Sequence, residues 1–368
     1  MNHPLASRRR FLGQLSALAS LALAPRRGWA AQPGRKLGVA LAGLGGYSTG
    51  QLGPALRLTA HCRLAGVVTG SREKGLKWAE DFGFPESSVY SYETMARLAD
   101  NPEIDIVYVV TPNGLHAEHA IAAARAGKHV IIEKPMASTV AECDAILAAC
   151  AAARVRHSVG YRLFWDPYHA ELRRLAREED FGPFLKLTGD RAFVMDSWRW
   201  RADRKLAGGG PLMDLGVYLI QGACMAKNGL APVAVTAQEL PKTRPEISRD
   251  TEETIRWTME WADGATGAFT TSYQQRADHF RAEGAKGWIH FQERAFGYQV
   301  RKVDSSRGLL NYGAPVNQQA RQMDDFAQCI VTGRASPAPG EMGRRDLVII
   351  EAIYASAAAG GKRVDVKV

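Results

Sequence analysis

Three groups of residues in this 368-residue chain have the types and spacing to do chemistry. Gly43-Leu-Gly-Gly-Tyr-Ser48 is a glycine-rich turn, and Glu133-Lys134-Pro135 closes an apolar strand well downstream of it. Asp214 and Tyr218 follow the glycine run Gly208-Gly-Gly210 and stand four residues apart. Such a turn cradles a dinucleotide. A lysine, an aspartate and a tyrosine beside it supply a cation, an orienting acid and a proton-accepting hydroxyl. Hydride transfer to or from a sugar-like alcohol needs that combination.

In Gly43-x-Gly45-x-x-Ser48 the first glycine permits a sharp turn and the second lets the backbone approach a pyrophosphate. The following helix offers its N-terminus to the negative charge. Ser48 replaces the usual third glycine and is small enough for close helix–strand packing. Gly43, Leu44, Gly45, Gly46 and Tyr47 are therefore the expected cofactor cradle, placed directly after the first strand. An NAD site usually carries an acid at the end of the second strand. Here the segment is Thr69-Gly-Ser-Arg-Glu-Lys74, with no acid at the strand tip. Ser71 can donate to a 2′-phosphate while Arg72 and Lys74 bring positive charge, so the reading is NADP. Thr111-Pro-Asn113-x-x-His116 leaves another strand at the carboxyl edge of the sheet. Asn113 can reach ribose or carboxamide; His116 is either a ligand contact or a helix-start residue.

The elements that must position these groups fall into two regimes. From residue 36 to about 161, strands and helices alternate: strands at 36–42, 63–69, 104–111, 128–133 and 156–161, with helices between them. That alternation means parallel strands with right-handed crossovers, a doubly wound sheet. Beyond about residue 160 the pattern becomes strands with alternating faces, at 184–194, 233–239, 254–261, 266–273 and 288–291. Asp263-Gly264 and Lys286-Gly287 mark tight hairpins. The fold class is thus α/β: an N-terminal Rossmann doubly wound parallel sheet, then an α+β domain with a large, mostly antiparallel sheet. The expected boundaries are 36–157 for the NADP-binding domain and 158–368 for substrate binding and dimerisation. Helices at 167–177 and 211–226 cover the second sheet, and helices at 318–332 and 345–359 close it.

Residues 1–30 are expected to be a leader. Ser7-Arg-Arg-Arg-Phe-Leu12 matches the twin-arginine export pattern, the apolar run 12–24 is too short to span a membrane, and Gly28-Trp-Ala30 offers a cleavage site. The alternative is a basic amphipathic extension that stays in the cytoplasm. The leader holds five arginines and no acids, so the net +9 becomes 9 − 5 = +4 without it. That is no electrostatic footprint for nucleic acid. The five cysteines are scattered, with no Cys-x-x-Cys pair, and indicate neither a disulfide framework nor a metal site. Export after folding with a cofactor, to the periplasm and without stable membrane insertion, is the expectation.

Glu-Lys-Pro-Met-Ala at 133–137, Thr-Pro-Asn-x-x-His-Ala-Glu at 111–118, Gly160-Tyr-Arg162, Trp200-Arg201 and Leu-Met-Asp-x-Gly-x-Tyr at 212–218 extend the pattern, with Gly-Leu-Gly at 43–45. On these motifs the chain, from about Lys36 onward, resembles the glucose–fructose oxidoreductase / inositol dehydrogenase / rhizopine-catabolism superfamily. It is most similar there to the periplasmic glucose–fructose and aldose–aldose oxidoreductases, because Tyr218 stands where inositol-type members carry histidine. The resemblance implies NADP and sugar substrates, with Lys134, Asp214 and Tyr218 catalytic: Tyr218 as acid/base, Lys134 stabilising its phenolate, Asp214 orienting the sugar or the lysine. It implies oxidation of an aldose at C1 to an aldonolactone and reduction of a second sugar to an alditol by retained cofactor. Glu133 joins the cofactor contacts. Tyr161, Arg162, Trp200 and Arg201 are candidate sugar or nicotinamide contacts.

The sequence departs from glucose–fructose oxidoreductases by lacking their proline-rich arm between leader and first strand. A homodimer through the second-domain sheet is the expected assembly, with a tetramer as the alternative. Two other activities stay open: an ordinary NADP-dependent sugar or diol dehydrogenase that releases reduced cofactor, and an exported glycosidase using a bound dinucleotide.

Overall fold

The computed structural model describes residues 35–300 and 302–368. The leader read at 1–30 lies outside the described residues. Strands β1 (Leu37–Ala42), β2 (Cys62–Val68), β3 (Val89–Tyr90), β4 (Ile106–Val109), β5 (His129–Ile132) and β6 (His157–Val159) form one parallel sheet in the order β3-β2-β1-β4-β5-β6. Helices α1 (Arg72–Phe82), α2 (His116–Arg125) and α3 (Val140–Ala153) connect its strands. The strand order reverses between β1 and β4, the point where such sheets open a crevice for ligand.

The strands read as continuous apolar runs because both faces are covered. Side-chain alternation divides them. Leu37, Val39, Leu41, Ile106, Tyr108 and Ile131 face one way; Ala40, Ala42, Val107, Val109, Val130 and Ile132 join the other core. The second set packs with Ala120, Ala123 and Ala124 of α2. The first is covered by a helix from far along the chain, whose Met323, Phe326, Cys329 and Ile330 share its core.

Strands β7 (Phe184–Ala192), β8 (Ala234–Glu239), β9 (Thr254–Glu260), β10 (Thr266–Ser272), β11 (Ala277–Gly284), β12 (Gly287–Glu293), β13 (Lys302–Ser305), β14 (Gly308–Leu309) and β15 (Val364–Asp365) form the second sheet. Its order is β14-β13-β12-β11-β7-β10-β9-β8-β15, antiparallel throughout except for β7–β10. Helices α4 (Pro167–Glu178), α5 (Val217–Ala226), α6 (Gln318–Thr332) and α7 (Gly340–Ala358) complete the fold. Leu187 and Phe280 of the sheet and Leu219 and Ile220 of α5 belong to one buried cluster.

Several details differ from the sequence reading. Strand β11 goes unread because only Phe280 and Ala282 interrupt its polar residues on the covered face. The pieces β3, β14 and β15 are two residues long, too short to carry a period. Helix α7 starts at Gly340, ahead of the expected 345. Helix α6, expected among the closing helices of the second half, covers the first sheet instead. Among the described residues all five cysteines are free and buried, no cluster could hold a metal ion, and no helix is long and apolar enough to cross a membrane.

Candidate active site

A cleft of about 870 Å³ opens at the carboxyl ends of β1, β2, β4 and β5 and continues to the end of β7 and the turn before α5. Its floor is the glycine turn. Gly43 has φ +104°, and a Cβ there would meet the Val110 carbonyl oxygen at 2.9 Å, so only glycine fits. At Gly45 and Gly46 a Cβ would meet nothing within 4 Å, because these residues face open space. Ser48 is fully buried and donates to the Gly43 carbonyl (2.6 Å), closing the turn from inside. A backbone cradle with clear space above it and a helix running on from it suits a dinucleotide pyrophosphate. Leu44 and Tyr47 also line the cleft, and Gln319 of α6 donates to the Tyr47 hydroxyl (3.3 Å).

At the tip of β2, Ser71 caps α1: its oxygen accepts from the Lys74 N–H (3.3 Å), leaving the hydroxyl proton free to donate outward. The Lys74 ammonium donates to the Leu44 carbonyl, tying the helix to the glycine turn. Ser71 and Lys74 line the cleft; Arg72 is exposed on α1 and does not.

Asn113 and Thr111 line the cleft while serving the framework. Asn113 donates to the Ala207 carbonyl (2.9 Å), and the Thr111 hydroxyl meets His119 Nδ1 (3.0 Å). His116 is wedged between two carbonyls, Pro135 O at 2.9 Å from Nδ1 and Thr111 O at 2.8 Å from Nε2. Burial pushes its pKa down to about 4 against the pull of those carbonyls. The ring bridges two loops, as a framework residue at a helix start does, and it also lines the cleft.

Glu133, at the end of β5, accepts from the Tyr108 hydroxyl (2.6 Å) and from the Lys134 N–H (3.2 Å). Gln322 of α6 donates to the same tyrosine (3.1 Å). This chain anchors the loop that carries Lys134. The Lys134 ammonium donates to the Asp214 carbonyl (2.7 Å), lies 3.4 Å from Asp214 Oδ1, and sits 4.6 Å from the centre of the Tyr218 ring. It reaches the ring face and the aspartate; no hydrogen bond joins it to the phenol hydroxyl. Asp214 is also met by Arg201 Nε (3.2 Å) and by the Tyr273 hydroxyl (3.4 Å). Burial raises the Asp214 pKa, but Arg201, Lys134 and Arg191 outweigh it and hold the carboxyl below its ordinary range. Asp214 lies in a wide helical turn, Leu212–Gly216, where the Val217 N–H reaches back to Leu212 O. Both Asp214 and Tyr218 still face the cleft.

Tyr218 is surrounded by cations. Arg162 Nη2 lies 3.4 Å from its hydroxyl, with the guanidinium carbon 5.3 Å from the ring centre; Arg191 lies 4.7 Å from that centre on another side. Burial raises the phenol pKa, yet Arg162, Lys134 and Arg191 together pull it below the ordinary value. The other cleft phenols go the opposite way. Burial drives Tyr298 up to about 12, Tyr47 well above the usual range, and Tyr92 upward as well. One phenol of four is made acidic, and it is the one beside Lys134.

Two of the expected contact residues lie away from the cleft surface. Tyr161 is buried outside the cleft lining, and its hydroxyl donates to buried Asp346 (2.5 Å). Arg162 does not line the cleft either. It is buried behind Tyr218, donating to Phe296 O (2.6 Å), Gly297 O (2.9 Å) and Gln318. Trp200 and Arg201 do line the cleft, with Arg201 stacked 4.5 Å over Trp200. Arg191 and Tyr298 went unread. Arg191 had a signal: alternation along β7 puts it on the face of Leu187 and Gly189, which α5 covers, where a charge needs a reason. Its reason is Tyr218 and the Asp278 carboxylate at 2.6 Å. Tyr298 lies in an irregular loop and gave no periodic signal.

Residues 37–161 match the family described as "Oxidoreductase family, NAD-binding Rossmann fold", and residues 169–290 match the "GFO/IDH/MocA C-terminal domain". The solved aldose–aldose oxidoreductase of Caulobacter crescentus, complexed with glycerol, is 39% identical. It covers 90% of this chain and 100% of its own, with a TM-score of 0.86. A levoglucosan dehydrogenase of Pseudarthrobacter phenanthrenivorans is 33% identical over 290 residues, 74% of this chain and 72% of that one. A D-xylose 1-dehydrogenase [NADP(+)] of Haloarcula marismortui is 26% identical over 340 residues, 89% of this chain and 94% of that one.

Proposed function

The chain belongs to the GFO/IDH/MocA oxidoreductase family, and from that premise we propose that it is an NADP-dependent sugar oxidoreductase that passes hydride from one sugar to another. The observation that carries the reading is Tyr218, the one cleft phenol whose surrounding cations overcome the effect of burial. Held on the Gly43–Tyr47 turn with Ser71 and Lys74, a nicotinamide dinucleotide would supply the hydride acceptor for C1 of an aldose and the hydride donor for the carbonyl carbon of a second sugar. The chain's own groups handle the proton. Tyr218, as phenolate, takes the anomeric hydroxyl proton while C1 becomes the lactone carbonyl; as phenol, it returns that proton to the oxygen of the second sugar, which leaves as an alditol. Asp214, held ionised by Lys134 and Arg201, is placed to accept a hydrogen bond from a sugar hydroxyl. Arg162, rather than Lys134, supports the phenolate oxygen.

NADP is preferred over NAD on the strength of Ser71 and Lys74 and the absence of an acid at the β2 tip. The test is the absorbance of purified protein titrated with glucose and no added nucleotide. A rise at the reduced-nicotinamide band, bleached by a second sugar, is expected. No rise until NADP is supplied, with NADPH then released, would favour the second reading, an ordinary sugar dehydrogenase, to which the two dehydrogenase relatives lend support. Export through the 1–30 leader and homodimerisation complete the proposal. The dimer reading is supported by an open face of the second sheet bearing Gln238, Arg256, Thr258 and Thr270. Cell fractionation and sedimentation velocity test them.

A further inference from the structure

Away from the cleft, a second cavity of about 270 Å³ lies among α4, α5 and α7. Its walls combine apolar surface (Phe164, Met225, Met342) with three guanidinium groups (Arg173, Arg177, Arg345) and the amide of Gln221; no carboxylate lines it. Gln221 is 1% exposed, and its Nε2 has no hydrogen-bond partner; Arg173 Nε is likewise buried and unpartnered. Buried donors of this kind are costly to leave unsatisfied. Arg345 is neutralised by Asp346 (2.6 Å), and Arg177 meets Glu178 (3.2 Å). Arg173 pairs with no carboxylate among the described residues: it donates to Phe164 O (2.6 Å) and stacks over that ring at 4.4 Å. Burial, and then Arg177, disfavour its charge, a penalty that a bound anion would reverse.

We propose that this cavity binds a small organic carboxylate, its oxygens on Arg173 and Gln221 and its apolar body against Phe164, Met225 and Met342. A cavity of roughly 150 Å³ holds benzene, so this one has room for a ring and a carboxylate. Tyr218, Gln221 and Met225 are spaced i, i+3, i+7 along α5, one stripe of the helix. The ligand therefore bears on the helix that presents Tyr218 to the cleft, about one turn further along.

The probe is benzoate, titrated calorimetrically into the full chain with NADP present to occupy the cleft, against cyclohexanol and inorganic phosphate. Benzoate is expected to bind, with the neutral ring and phosphate each weaker by roughly tenfold or more. Arg173→Gln and Gln221→Leu are each expected to weaken benzoate by roughly tenfold. Arg177→Gln, at the exposed mouth and harmless to the fold, is expected to weaken it without moving the melting temperature. No benzoate binding, or full affinity retained in all three variants, overturns the site. Cyclohexanol binding as tightly overturns its anionic character, and phosphate binding as tightly overturns its apolar half.

Discussion

Replacing Arg191 by methionine isolates the electrostatic argument, because it removes one cation from Tyr218 and keeps most of the apolar stem. The guanidinium lies 4.7 Å from the ring centre. At ~5 Å and an effective dielectric of about 20, two unit charges interact by about 3 kcal/mol. The cleft is open to water and Arg191 is partly neutralised by Asp278, so a third to a half of that is the reasonable residue. At 1.36 kcal/mol per pKa unit this is about one unit. The sign is fixed by the role: the phenolate is the base, so the oxidation rate rises as pH rises through the phenol pKa. Losing a cation raises that pKa and moves the rising limb of kcat/KM for sugar oxidation upward by about one pH unit. The assay is the pH–rate profile of wild type and Arg191→Met at matched cofactor saturation. A lower plateau with an unmoved limb would refute the assignment, since the titrating group would not feel Arg191.

Other outcomes follow from the same geometry. Tyr218→Phe keeps the ring's packing and is expected to slow both half-reactions by ~10²-fold or more while NADP stays bound; loss in one half-reaction alone would move the proton to another group. Lys134→Arg should restore little of the activity lost in Lys134→Ala, because a planar guanidinium does not reproduce a compact ammonium held on Asp214 O and Oδ1. Ser71→Asp combined with Lys74→Ala is expected to move the ratio of kcat/KM from NADP toward NAD, each lost charge-assisted bond being worth ~1.5–3 kcal/mol; an unchanged ratio sinks the cofactor reading. Phe326→Ala empties a buried site between α6 and the first sheet and is expected to cost ~3–5 kcal/mol in urea unfolding.

The sequence alone determined the two-part architecture and the cofactor cradle, because the signals are local. Apolar runs with glycine breaks specify parallel strands, and Gly43 is required by a φ its own backbone must adopt. The same holds for Asp214 and Tyr218, four apart and both facing the cleft even through the wide turn between them. What the sequence could not show is which side chains meet across long separations. Arg162 reaches the Tyr218 hydroxyl from 56 residues away, while its neighbour Tyr161 turns to Asp346, 185 residues distant. Tyr161 stands just before a tight 3₁₀ turn, Arg162–Trp165, so the two neighbouring side chains leave the backbone in different directions. Which of the two met Tyr218 depended on where α5 and α7 packed. Lys134 was expected at the phenol oxygen and lies instead on the ring face and Asp214; its loop is anchored by Glu133, Tyr108 and Gln322, the last supplied by a helix 188 residues downstream, 322 − 134. Local backbone preference wrote the elements, and only packing of both sheets against shared helices decided which cation makes Tyr218 acidic.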